Sequence, residues 1–71
     1  MNKSDAIAWA RGVETQAKPK EIDKKLASAM LSDDHMTVES LFIYAGHHGA
    51  NADTGHKLRS AWEMARAYMG L

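Results

Sequence analysis

Apolar residues return every three or four positions in four separate stretches of this chain, the period of helices that pack by one face. The first stretch carries Ala6, Trp9, Ala10, Val13 and Ala17, and the second Ile22, Leu26, Ala29 and Met30. The third carries Val38, Leu41, Phe42 and Ala45, and the last Leu58, Ala61, Trp62, Ala65, Tyr68 and Met69. This pattern predicts an all-α fold: a compact bundle of about four short helices over residues 4–17, 19–32, 37–46 and 54–69, in one domain spanning 1–71. Alanine at the contact positions lets the helices approach closely, and the two tryptophans then fill the gaps between neighbours.

Local signals mark the boundaries. Ser4 is the expected cap of the first helix, with Asp5 placed where the positive end of the helix dipole favours a carboxylate. Pro19 disfavours the α region at Lys18, so the first helix should end near Gln16 and the second should open with Pro19 at its first position. Within the second, Glu21 and Lys25 form a favourable i,i+4 pair. Ser32-Asp33-Asp34-His35 is a polar break. Thr37 is the expected cap of the third helix, and Gly46 to Ala52 the clearest loop, with glycines able to take positive φ. Asp53 or Asn51 should cap the last helix, and Gly70 followed by Leu71 has the composition of a Schellman ending.

With 71 residues and no cysteine, the chain has a thin core and neither a disulfide nor a thiolate metal site to staple it. Tight helix packing, a partner subunit, or both must compensate, which makes a homodimer an expectation. Nine basic residues balance nine acidic ones, so the molecule has no net field to draw polyanions. The opening residues lack a secretory profile, and no apolar run approaches the ~20 residues needed to cross a bilayer. A cytoplasmic protein with no membrane partner is expected.

Candidate chemistry is sparse. His47, His48 and His56, with Asp53 nearby, have no His-x-x-x-His spacing that would set two imidazoles on one helix face, so no metal is expected. His35 beside Asp33 and Asp34 reads as surface electrostatics. There is no cysteine nucleophile and no Gly-x-Ser-x-Gly elbow. Adjacent Asp33 and Asp34 do not face each other across a cleft as paired catalytic carboxylates must. The reading is a non-enzyme without a cofactor. Lys18, Lys20, Lys24 and Lys25, ahead of a short inter-helix turn, suggest a helix-turn-helix-like nucleic-acid regulator as the alternative. Against it, Glu21 and Asp23 interleave the lysines, and the would-be recognition helix holds no Lys or Arg.

Protein–protein binding is the stronger expectation, carried by surplus apolar and aromatic surface. Ile43, Tyr44, Trp62 and Tyr68 are the expected contact residues, because aromatic side chains are enriched at interface cores. Ile43 and Tyr44 lie off the main stripe of their own helix, where four short helices have little left to cover them. A neutral chain of this kind suits a phage or mobile-element inhibitor of host machinery that acts stoichiometrically, or a structural component of a larger assembly.

Overall fold

In the computed structural model, which describes residues 1–52 and 55–71, the chain forms four helices: α1 (Lys3–Glu14), α2 (Glu21–Leu31), α3 (His35–His47) and α4 (Arg59–Met69). Strands are absent among the described residues. The helices expected from the apolar period are all present, and the differences lie at their ends.

Each start is set by a residue upstream or downstream of the one expected. Asn2, not Ser4, caps α1: its side chain accepts the Asp5 N–H at 3.0 Å while the Asp5 carboxylate accepts the Asn2 N–H at 2.9 Å. This reciprocal pair satisfies two backbone donors at once, which a lone serine does not. Pro19 lies one residue before the α2 cap, Lys20, rather than inside the helix. Asp34, not Thr37, caps α3, accepting the Thr37 N–H at 3.1 Å and the Thr37 hydroxyl at 2.6 Å. A carboxylate at the positive end of the dipole outcompetes the threonine hydroxyl, which becomes its donor. For α4, Asp53 lies outside the described residues, and Asn51 sits in a turn well ahead of the helix. The helix begins at Arg59 rather than 54, and the His56 Nδ1 accepts the Leu58 N–H at 3.0 Å in the turn before it.

The ends are more uniform. α1 stops at Glu14, where the Thr15 hydroxyl donates to the Gly12 carbonyl at 2.8 Å, and Ala17 is left exposed beyond the helix. The other three helices all close with a left-handed residue: Asp33 (φ 57°), Gly49 (φ 91°) and Gly70 (φ 75°). At each, the next N–H reaches back five residues, Asp34 to Ala29, Ala50 to Ala45 and Leu71 to Arg66, at 2.8 to 3.1 Å. These are Schellman endings, and the one at Gly70 follows the expected composition.

α1 packs on α2 and α4, and α3 packs on α4 and α2; α1 and α3, both described in full, bring no Cα atoms within 8 Å of each other. The radius of gyration, 10.9 Å, matches the ~11 Å expected of a compact chain this long. Most buried apolar residues are alanines, among them Ala6, Ala10, Ala27 and Ala65, each fully covered. The largest fully buried side chains are Leu26, Val13 and Val38. Alanine cores bring backbones together but contribute only about one methyl group each, ~0.8 kcal/mol.

Polar contacts tie the bundle's ends. The Tyr68 hydroxyl, on α4, donates to Asp33 Oδ1 at 2.7 Å, and His35 Nε2 lies 3.0 Å from the same oxygen. The Lys3 ammonium stands 4.8 Å from the Tyr68 ring centroid. Burial and the Asp33 hydrogen bond push the Tyr68 phenol up to about 12. The Tyr68 hydrogen bond and the nearby His35 hold Asp33 below the usual carboxylate value, and hydrogen bonds from Thr37 do the same for Asp34. Asp23 goes the other way. It is buried on α2, its Oδ1 has no hydrogen-bond partner among the described residues, and burial raises its carboxyl despite Lys20 at 4.0 Å.

Two outcomes follow from this packing. Leu26→Ala should cost ~2–5 kcal/mol in urea unfolding, most of the ~3–5 kcal/mol such a small core supplies. Stability should also depend on acid in two opposed ways. Asp33 and Asp34, with folded values below 3.8, contribute stability that is present above 3.8 and lost as pH falls through their lower folded values. Asp23, with its folded value above 3.8, adds a penalty that builds as pH rises through the window just above 3.8. Urea unfolding across that window should show Asp23→Asn losing this decline while keeping the loss at lower pH.

Candidate protein-docking face

The site is built on α3, the one helix apolar on more than one side. Its inward face follows the helical period: Val38 and Ala45 are buried, and Leu41 and Phe42 pack partly against the core. Seven residues span almost two turns, so Met36 and Ile43 share a side, about 10.5 Å apart along the axis. That side is open. Met36 is 82% exposed and Ile43 60% exposed. Tyr44, one step further round the helix, is 50% exposed, and its ring lies 4.3 Å from that of His48.

Exposed apolar side chains occur singly on many proteins. Here three fall on one helix whose opposite side is already committed to the bundle. Both ends of that helix are capped: Asp34 at its start and the left-handed Gly49 at its finish. Gly46, on the side toward α4, permits a close approach, because a Cβ there would stand 3.3 Å from Trp62 Nε1.

Of the four expected contact residues, the structure brings Ile43 and Tyr44 together on the surface. Trp62 is half-buried on α4, stacked on Phe42 with ring centroids 5.4 Å apart and flanked by the Arg59 and Arg66 guanidinium groups at 5.0 and 5.9 Å. Much of its surface is therefore spent inside the molecule. Tyr68 is a correction: at 3% exposure it belongs to the core, its hydroxyl committed to Asp33. Periodicity alone marks Tyr68 as a stripe residue, and the stripe of α4 faces inward. Met36 escaped sequence reasoning because a helix starting at Thr37 leaves it in the turn; recognising Asp34 as the cap would have set it one helical heptad before Ile43.

The lysines divide. Lys20 donates to the Lys57 carbonyl at 2.9 Å and pairs with Asp23. Ion pairs among the described residues fall on Lys20–Asp23, His35–Asp33 and Arg59–Glu63, so the expected Glu21–Lys25 pair does not form. Lys18, Lys24 and Lys25 are exposed. Among the histidines, the His47 and His48 rings meet edge to face at 5.9 Å, while His56 is turned to the Leu58 backbone. No group of three or more His, Asp or Glu among the described residues is arranged to hold a metal ion. Nor is any described helix long and apolar enough to cross a membrane.

No protein-family model, curated protein or solved structure matches this chain.

Proposed function

We propose that this chain acts without catalysis, by stoichiometric docking of the outer face of α3 on another protein. The exposure of Met36, Ile43 and Tyr44 on one firmly capped helix carries this reading. Aromatic and methionine side chains are the types enriched where interfaces exclude water, and methionine adapts its shape to a partner. Glu39, Ser40 and His47, all exposed, border the apolar side chains with polar groups, as a rim does.

A bundle this small has little room to shape a reaction cleft, but it is large enough to cover a functional surface on a bigger protein. Occlusion or bridging is the mechanism such a face would serve. It fits a phage or mobile-element inhibitor of host machinery, acting in a cytoplasm. A second copy of the chain on the same face would give a homodimer, and sedimentation of the pure protein distinguishes the two occupants.

The test is capture from a native host lysate by immobilised protein, with bound species identified by mass spectrometry. Ile43→Asp and Tyr44→Asp alter exposed or half-exposed positions near the negative end of α3, so unfolding transitions should stay within ~1–2 kcal/mol of the parent and leave the fold intact. Each should weaken the specific complex about 30-fold or more, the equivalent of roughly 2 kcal/mol at an interface anchor. Undiminished capture by both variants would remove α3 as the docking face. Salt-sensitive binding of random duplex DNA with no protein captured would favour the nucleic-acid alternative on Lys18, Lys20, Lys24 and Lys25.

A further inference from the structure

Beside Tyr44 the surface drops into the seam between α2 and α3. Three recesses, of about 380, 360 and 400 Å³, run into one another there. The first and second share Lys25 and Leu41, the second and third share Ile22 and Tyr44, and Glu21 borders all three. Shared walls make them one furrow, which starts beside Ser32 and Asp34 at the α2–α3 turn and finishes beside His48 and Lys57. Along α2 it follows Glu21 to Ser32, about 16 Å at 1.5 Å per residue, the length of three helical turns.

The furrow differs from the rest of the molecule in charge. Its floor is apolar, made by Ile22, Leu41 and Tyr44. Lys24 and Lys25 stand along it, and Lys20 and Lys57 at its far end. Glu21 and Asp34 are the carboxylates on its walls, and Asp34 is occupied capping α3. Lys24 and Lys25 enter none of the ion pairs among the described residues. A neutral protein thus places unpaired positive charge along an apolar furrow.

We infer that the furrow between α2 and α3 receives an acidic amphipathic helix of a partner protein. The inference rests on the protein-docking reading and names the partner's chemistry. Apolar side chains at i, i+3 or i+4, and i+7 of the incoming helix would sit on Ile22, Leu41 and Tyr44. Carboxylates on its flank would face Lys24 and Lys25, steering encounter and excluding basic segments more than adding raw affinity. A nucleic-acid backbone would match the lysines but would leave the apolar floor without a counterpart.

Selection from a phage-displayed library of random peptides of about 11 residues, the helical length that fills the furrow, on the full chain, tests this directly. Enriched peptides should combine helix-spaced apolar residues with Asp and Glu. Their amide-shift footprint on the protein should fall on Ile22, Lys25, Leu41 and Tyr44. Affinity should drop ~10-fold in the double variant Lys24→Glu/Lys25→Glu, and should weaken as salt is added. Neutral or basic winners, no enrichment, a footprint confined to Met36 and Ile43, or full affinity in the charge-reversed variant would each overturn the inference. So would duplex DNA that displaces the peptides. The native partner separates the two readings: if its capture survives Lys24→Glu/Lys25→Glu but not Ile43→Asp, the docking face stands and the furrow does not. If capture survives all these variants, both fall.

Discussion

Close approach of helices through alanine is the constraint on which the rest of this molecule depends. Ala6 and Ala10 on α1, Ala27 on α2 and Ala65 on α4 are fully covered, so backbones rather than large side chains fill the centre. Such packing suits a short chain, because small contact residues need little volume between axes. Its weakness is the modest apolar area each alanine removes from water. Leu26, Val13 and Val38 therefore supply a disproportionate part of the cohesion. With the interior satisfied by small residues, several larger apolar side chains have no place inside, and α3 carries three of them on its outer side.

The polar contacts extend this economy to the ends. Asp33 occupies a left-handed position where glycine is the usual choice. Its carboxylate accepts the Tyr68 hydroxyl and lies beside His35, linking the α2–α3 turn to the last helix. A glycine there would relax the backbone and give up that link. The same turn provides Asp34 as the cap of α3, so two consecutive acidic residues that look like one solvated break each have a separate structural task.

The helices and their inward stripes were legible in the sequence, because apolar spacing reports directly on which face meets the core. Boundaries were less so. Ser4 and Thr37 are sound caps in isolation, yet Asn2 and Asp34 displace them through reciprocal or charged hydrogen bonds that only the folded ends reveal. The start of α4 was hidden because His56 and Leu58 make a turn without the usual capping residue types. Exposure of Ile43 and Tyr44 could be read from their position off the stripe. Tyr68 could not be separated from a surface aromatic, since its partner Asp33 lies 35 residues away in sequence. The furrow was invisible for a related reason: Lys25 and Tyr44 belong to different helices, and no one-dimensional pattern pairs them.

The wider spacing of α1 and α3, which bring no Cα atoms within 8 Å of each other, sets two flanks apart on one small body. α2 and α4, which pack on both, are the main path by which a load on α3 reaches α1. Outward residues of α1 such as Ala8, Arg11 and Glu14 are thus free to drift, or to acquire a second use, without reshaping what the opposite flank offers. A protein with so little interior gains in this way a measure of modularity that its size alone would not suggest.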